Sequence, residues 1–451
     1  MQMTQRLFST LGLALAIALS AHQGVAEAGQ KALTEQTADK GAAPAKTQKW
    51  DPTPAALEDL YHRVWQAIGD SFYAPEQLTN WGEWEHKYDG KLTKSKELDQ
   101  ALHELVASIG DRWTRYTSKD ESSGARFQQY LQRSVNIGML LARNDDGTYR
   151  IEALVYGSPA QRSVLRVGDT VKYIDQQELK RSTPAQVEAV LHQPVGSTIR
   201  IVYSDNGKDS VFDMEVTATQ SAPVVAKLMN RSILYARLPD FRTDEVLETF
   251  ERCILEIQRK APNGIDGVVF DLRGNPGGEF KRGVSVAAYF LEQGVVATST
   301  TRDGRLVVEA VHRTTPVPAY AKQSLSAEWK GLLQVLHEKP LVVLVDGSSM
   351  SASELVAGAL KDNGRALIVG TPTFGKAVGY QHFDLDNEGE LTITGLKYRT
   401  PNGTDVSKGG LQPDVLYPQP RGSQDVQLAV ALGELEKLIQ ARQQAGASCS
   451  K

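Results

Sequence analysis

Between Ser232 and Gly370, short runs of almost wholly apolar residues alternate with helix-like stretches, and this pattern most limits the fold. "SILYARL", "GVVFDLR", "PLVVLVD" and "ALIVG" carry apolar side chains at successive positions. Such strands must be covered on both faces, which is the signature of a buried, largely parallel sheet between helices. The intervening "EVLETFERCILEIQRK" places Val246, Leu247, Phe250, Ile254 and Ile257 on one helical face, with Cys253 expected as a small core residue. "RGVSVAAYFLEQG" reads as a second helix, "LTITGLKYRT" as a further strand and "DVQLAVALGELEKLIQAR" as a closing helix.

The rest of the 451-residue chain divides by pattern. Arg6 precedes an apolar run from Leu7 to Leu19, shorter than the roughly 20 residues of a membrane span. Ala26-Glu27-Ala28 follows as a small-x-small cleavage site, so residues 1–28 read as a secretory signal peptide, with an uncleaved membrane anchor as the alternative. The expected product is exported, and periplasmic in a Gram-negative source. Residues 29–54 lack large apolar side chains and read as a linker or disordered arm. Residues 55–131 form a helical region, in which "LEDLYHRVWQAI" and "LDQALHELVASI" repeat apolar residues three and four apart. "IGDRWTRYTSKDESS" reads as a structured loop. Residues 132–220 hold short strand candidates and a helix capped by Thr183 with Pro184 at its first position. The α/β domain spans 221–422, and 423–451 form a C-terminal helix and tail.

Net charge is −4, so nothing points to a nucleic-acid partner. Cys253 and Cys449 are the two cysteines, which excludes a disulfide framework and the usual zinc clusters. With no H-E-x-x-H, no metal and no cofactor is expected.

One junction carries chemistry. "DGSSMSASELVAGAL" puts Ser348, Ser349, Ser351 and Ser353 between a buried strand and a helix. Ser351-x-x-Glu354 is a capping box with an apolar stripe behind it, which by itself needs no further role. Yet a strand–turn–helix junction exposes a side chain at the carboxyl edge of a sheet, and helix N-terminal amides can stabilise an oxyanion. "TPTFGKAVGYQ" then offers Lys376, which can serve as a base if burial removes its charge. His382 follows in the same segment as a rival base, a pairing that would leave Lys376 idle.

These motifs resemble the carboxyl-terminal processing, or tail-specific, serine proteases. Ser349-Met350-Ser351-Ala352-Ser353-Glu354 matches that family's S-A-S-A-S-E element, and Phe374-Gly375-Lys376-Ala377 its F-G-K-G element. The resemblance makes Ser351 the nucleophile and Lys376, 25 residues on, its base. "DLRGNPGG", Asp271 to Gly278, resembles the family's glycine turn, so Gly277 or Gly278 would form the oxyanion hole with Ala352. The supporting glutamine of the family falls at Tyr380, one residue before Gln381; Gln381 is the third member, or Tyr380 takes its place. Met350 and Ala377 replace smaller residues. "NIGMLL" resembles a PDZ carboxylate-binding loop, with Ile137, Gly138 and Met139 as the peptide-binding residues.

The implied fold is multidomain α+β: an N-terminal helical region, a β-rich PDZ-like domain, and an α/β catalytic domain with a ClpP/crotonase-like sheet core. The implied function is an exported serine endopeptidase with a Ser–Lys dyad acting on envelope proteins. Its partners would be protein or peptide substrates with apolar C-terminal tails. Some members of the family use an adaptor protein or form a homo-oligomer. The alternative is a catalytically silent peptide-binding scaffold, which the altered segment after Lys376 motivates.

Overall fold

The protein is described here by a computed structural model covering residues 53–119, 134–155, 158–217, 223–261, 263–303, 306–314, 326–385, 388–420 and 424–449. The expected leader and nearly all of the expected arm lie outside these residues, as does Lys451. Among the described residues, no helix is long and apolar enough to cross a membrane.

Helices α1 (Pro54–Ser71), α2 (Trp81–Glu85) and α3 (Ser95–Ala107) come first. The apolar stripes of α1 and α3 bury Leu57, Leu60, Val64, Ile68, Leu98, Leu102 and Leu105 in one cluster. Leu391 and Ile393, from far along the chain, complete it. "RYTS", expected within a loop, is a strand, β1 (Arg115–Ser118).

A β-rich stretch follows: β2 (Ser134–Asn136), β3 (Met139–Arg143), β4 (Tyr149–Leu154), α4 (Pro159–Arg162), β5 (Thr170–Ile174), β6 (Gln177–Glu178), α5 (Pro184–Leu191), β7 (His192–Pro194), β8 (Thr198–Asp205) and β9 (Lys208–Glu215). The main sheet runs β3-β4-β5-β8-β9, with β6 on β5 and a separate β2–β7 pair. Its core holds Ile137, Ile151, Leu165, Val171, Ile174, Ile199 and Ile201. Among the described residues, strand β3 pairs with β4 alone and so lies at an edge of this sheet. Thr183 and Gln186 exchange reciprocal bonds at the start of α5, which satisfies two amides there.

The remaining elements are β10 (Val225–Met229), β11 (Ile233–Arg237), α6 (Asp244–Arg259), β12 (Gly267–Asp271), α7 (Phe280–Phe290), β13 (Val295–Asp303), β14 (Leu306–Arg313), α8 (Ala327–Glu338), β15 (Leu341–Val345), α9 (Ala352–Asp362), β16 (Leu367–Gly370), β17 (Val378–Asp384), β18 (Gly389–Arg399), β19 (Val415–Leu416) and α10 (Val426–Cys449). The central sheet has the order β10-β11-β12-β15-β16-β19. It is parallel except for β10. Leu234, Val268, Phe270 and Val343 pack on one face with Phe250, Val286, Trp329 and Val356 from the helices. Tyr235, Val269, Val342, Leu344 and Val369 fill the other face beneath Ala431 and Leu435 of α10. Burial on both sides explains why these strands carry apolar residues at successive positions. Cys253 is only half-buried; the buried face of α6 is Leu247, Phe250, Glu251, Ile254 and Leu255, one step round the helix.

A second sheet joins β1, β18, β13 and β14, with β17 also paired to β18. Its β13–β14 hairpin and β17 were not expected from the sequence. They mix Thr, Ser and charged residues with apolar ones, as a half-exposed sheet does.

Two consequences position the site. Strands β12, β15 and β16 are direct neighbours and point the same way, so the loops after all three emerge together at their carboxyl edge, where open α/β sheets bind ligands. Helices α7 and α9 also approach closely at Gly283, where an added Cβ would lie 2.9 Å from Leu355 Cδ2 and 3.3 Å from Ala352 Cβ. Gly283→Val is therefore expected to lower stability by about 1–3 kcal/mol through overpacking and to displace the start of α9. Chemical denaturation and peptide hydrolysis should both register the change.

Candidate active site

Three of the four clustered serines have structural tasks. Ser348 Oγ accepts from Leu154 N–H at 2.9 Å. Ser349 Oγ donates to the Leu272 carbonyl at 2.8 Å and accepts from Asp346 N–H at 3.0 Å. Ser353 Oγ donates to the Asn275 carbonyl at 2.9 Å. These bonds tie the loop after β15 to the loop after β12 and to β4. Ser351 differs. It is half-buried, and its backbone has φ 57° and ψ −114°, a region costly for a residue with a Cβ. Such strain persists only where surrounding contacts over-determine it.

Those contacts centre on Glu354, which is fully buried. Its Oε2 accepts from Ser351 N–H at 2.9 Å and from Lys376 N–H at 2.8 Å. Its Oε1 accepts from Gly375 N–H at 2.7 Å and from Thr373 Oγ1 at 2.5 Å. Thr373 Oγ1 itself accepts from Leu411 N–H, so its proton is directed at the carboxylate. The Ser351 and Lys376 amides thus share one oxygen and stand within two hydrogen-bond lengths of each other. The expected Ser351–Glu354 box is present here as the Glu354 half, extended to a second loop. Burial pushes the Glu354 carboxyl up, while the hydrogen bonds from Thr373, Lys376, Gly375 and Ser351 oppose the rise.

Tyr398 provides a second clamp. Its buried hydroxyl lies 2.8 Å from the Ser351 carbonyl and 3.2 Å from the Lys376 carbonyl. Burial raises this phenol well above its ordinary value, so it remains a donor.

The Lys376 side chain is half-buried, and its Nζ lies 4.4 Å from the Tyr380 ring centre and 5.5 Å from that of Trp113. Asp111 Oδ2 accepts from the Trp113 and Thr114 amides, so the turn before β1 delivers Trp113 here. Burial lowers the Lys376 pKa, Arg115 lowers it further, and Glu354 partly opposes them. Aromatic faces attract an ammonium, so the neutral amine depends chiefly on burial. Burial also pushes the Tyr380 phenol up to about 12. Lys376 Nζ makes no hydrogen bond to Ser351 Oγ in this conformation. Catalytic bonds are often long before substrate binds, so this geometry is compatible with a dyad that closes later.

Tyr380, rather than Gln381, meets the amine. Successive residues of β17 face opposite ways, and the Gln381 amide lies across Gly395 of β18, 2.9 Å from where a Cβ would stand. Gln381 has no hydrogen bond to Lys376. His382 Nδ1 lies 3.1 Å from Thr392 Oγ1.

The glycine turn abuts the serine loop. A Cβ on Gly277 would stand 2.5 Å from the Met350 carbonyl, 2.8 Å from Ser351 Cβ and 2.9 Å from Ala352 N, and its φ is +85°. No side chain fits there. The Gly277 N–H donates to Asn275 Oδ1 at 2.8 Å, which engages it. Gly278 has φ +154° and packs on the Phe241 backbone. Ala352 opens α9, so its N–H is among the donors that a helix leaves unpaired.

Sequence reasoning passed over the residues that hold the base of this turn. Asp271 is fully buried and accepts from Tyr235 Oη at 2.7 Å, Arg273 N at 2.9 Å and Arg273 Nη2 at 2.7 Å, with Arg237 Nη1 3.7 Å away. Burial would raise this carboxyl, but Arg273 and Arg237 outweigh it and hold it below the ordinary range. Arg273 continues to Asp425 just before α10. The Asp-Leu-Arg triplet was the available signal, but sequence alone named it only for its glycines.

Of the expected peptide-binding residues, Ile137, Gly138 and Met139 are all buried. Ile137 N–H donates to the Leu191 carbonyl at 2.9 Å and is engaged. Gly138 has φ +86°, and a Cβ there would stand 2.1 Å from Ser158 Oγ, so glycine is required.

A half-exposed serine in strained backbone, an amine with lowered pKa on the adjoining loop, and helix-start amides form the constellation of a serine hydrolase. Comparison with known proteins agrees. Residues 232–417 match the family described as Peptidase family S41. A carboxyl-terminal-processing protease from Picosynechococcus sp. is 28% identical over 371 residues, covering 80% of this chain and 83% of the relative. A carboxy-terminal-processing protease from Bartonella bacilliformis is 30% identical over 295 residues, covering 65% of this chain and 63% of the relative. A solved structure of a photosystem II D1 C-terminal processing protease shares the fold, with a TM-score of 0.64 at 22% identity, covering 80% of this chain and 93% of that one. The match to peptidase family S41 thus covers the central-sheet part of the chain, and the similarity to the named proteases extends over most of it. The protein is a serine-type peptidase, a hydrolase of the carboxyl-terminal-processing kind.

Glu354→Gln keeps the side-chain volume but turns an amide NH₂, a donor, toward N–H donors. Stability is expected to fall by about 2–4 kcal/mol, because buried amides lose their acceptor. Turnover should fall further than the loss of folded protein explains, measured on samples matched for folded fraction.

Proposed function

We propose that the protein is an exported endopeptidase using a Ser351–Lys376 dyad, with C-terminal tails of envelope proteins as substrates. The observation that carries this reading is the shared Glu354 carboxylate. It fixes a strained serine and a lysine of lowered pKa on adjoining loops. Ser351 Oγ attacks the scissile carbonyl carbon as its proton passes to neutral Lys376 Nζ. The ammonium returns that proton to the leaving amine as the C–N bond breaks, giving an acyl-enzyme. Lys376 then deprotonates water, which cleaves the ester and restores Ser351.

Ala352 N–H and Gly278 N–H stabilise the oxyanion. Gly278 is preferred over Gly277 because the latter already donates to Asn275. Tyr380 takes the place of the supporting glutamine, because its ring, and not the Gln381 amide, adjoins the amine. The β-rich stretch acts as a PDZ-type domain. An apolar tail adds to the outer edge of β3, beginning at Gly138 and Met139, and Leu140 on that strand is exposed. The Leu154 amide on Ser348 Oγ links this stretch to the serine loop.

Cleavage of a denatured protein such as casein, with a covalent serine probe alongside, tests the chemistry. Ser351→Ala and Lys376→Ala are each expected to lose at least about a thousandfold in turnover while remaining folded. Equal behaviour of wild type and both variants would return the chain to a silent scaffold.

The pH profile tests the base. Lys376 works only when unprotonated, so kcat/KM should fall as pH drops through its pKa. Arg115→Ala removes a charge that depresses that pKa, so the acidic limb should move to higher pH. The shift should stay below about one unit, because Arg115 is exposed and screened.

A further inference from the structure

We propose that the N-terminal helical region carries a Zn²⁺ site formed by His62, His86 and Asp89. One ligand atom from each residue lies within 4.8 Å of the other two. Asp89 stands between the histidines, with Oδ1 3.1 Å from His62 Nε2 and Oδ2 2.9 Å from His86 Nδ1. The two imidazole centres are 5.6 Å apart.

The scaffold behind these residues is built. His62 lies on α1, whereas His86 and Asp89 lie just beyond α2. Tyr61 Oη donates to the Trp84 carbonyl at 2.7 Å and Trp65 Nε1 to the Trp81 carbonyl at 2.9 Å, fastening the two helices on either side of His62. Gly90 N–H donates to Glu58 Oε1 at 2.6 Å, and Glu58 sits one helical turn before His62. The turn bearing Asp89 is thereby fixed against the helix bearing His62. Preorganised ligands on packed elements are what a metal site requires.

Donor chemistry selects the ion. Two imidazole nitrogens and one carboxylate oxygen, with the outer side open to solvent, suit Zn²⁺ with water in the fourth position. Ca²⁺ and Mg²⁺ prefer oxygen donors. Glu85 Oε2 lies 4.0 Å from His86 Nε2, on the side away from Asp89. A carboxylate there favours the proton on Nε2 and leaves the Nδ1 lone pair for the metal. The rival account is an exposed His–Asp–His hydrogen-bond network, in which both rings donate to Asp89. The ion would tie α1 to the turn after α2 and takes no part in peptide hydrolysis.

Full-length protein freed of metal with a chelator is titrated with ZnCl₂ by calorimetry, with Co²⁺ absorption and Tm as parallel readouts. MgCl₂ serves as the control. One site per chain, a raised Tm with Zn²⁺ and no response to Mg²⁺ are expected, since a ligand that binds the folded state stabilises it. His62→Gln and His86→Gln should each weaken binding at least about tenfold, and the double variant should abolish it. Circular dichroism checks their fold, and casein cleavage should be unchanged. Absence of Zn²⁺ binding by folded wild type up to millimolar metal, or undiminished binding by the folded double variant, would overturn the proposal.

Discussion

The buried carboxylate of Glu354 is the contact on which the site depends. A lone carboxylate in the interior is costly, and this one is tolerated because amides and a hydroxyl converge on it. The arrangement works in both directions. The donors keep Glu354 satisfied, and Glu354 draws the loop after β16 onto the first turn of α9. Ser351 and Lys376 are therefore positioned through their backbones, whatever their side chains do at a given moment. Tyr398 repeats the device from the second sheet by bridging the carbonyls of the same two residues.

This clamp depends on strand order. Only because β12, β15 and β16 are adjacent and parallel do three loops from separate parts of the sequence meet at one edge. The first brings the glycine turn, the second the serines and the third the lysine. Ser349 and Ser353 bond to carbonyls of the first loop, so polar residues lock the loops together where apolar packing ends. The N-terminal region completes the enclosure. Its Trp113 stands beside the Lys376 amine, and the Leu391 and Ile393 contacts anchor its helices to β18. The low-dielectric setting of the amine thus draws on residues more than 250 positions away in sequence.

Much of the central sheet was legible because its strands are almost wholly apolar and alternate with amphipathic helices. The second sheet was not. β13 is rich in Thr and Ser, and β14 and β17 break their apolar runs with polar and charged residues, a mixed pattern that is hard to distinguish from loop. Missing β17 also obscured the choice between Tyr380 and Gln381, because facing follows from strand alternation and the bulge between Gly379 and Tyr380. Local spacing exposed the Ser351–Glu354 relation but not its extension to Thr373, Gly375 and Lys376, which exists only once the strands are ordered. The Asp271–Arg273–Asp425 network and the His62–His86–Asp89 cluster have the same character. Each joins a short local pair, Asp271 with Arg273 or His86 with Asp89, to a partner that comes near only in the fold, Asp425 or His62, so local spacing does not announce the whole group.

The proposed mechanism turns on an amine that gives up its charge more readily than an ordinary lysine. The most direct measurement is the titration of Lys376 by NMR, using ¹³C-labelled lysine with Lys376→Arg to assign the resonance. A midpoint clearly below that of ordinary lysines is predicted, as burial and Arg115 require. A midpoint at or above the ordinary value would contradict it, since the Lys376 amine would then remain an ammonium and could not accept the proposed serine proton.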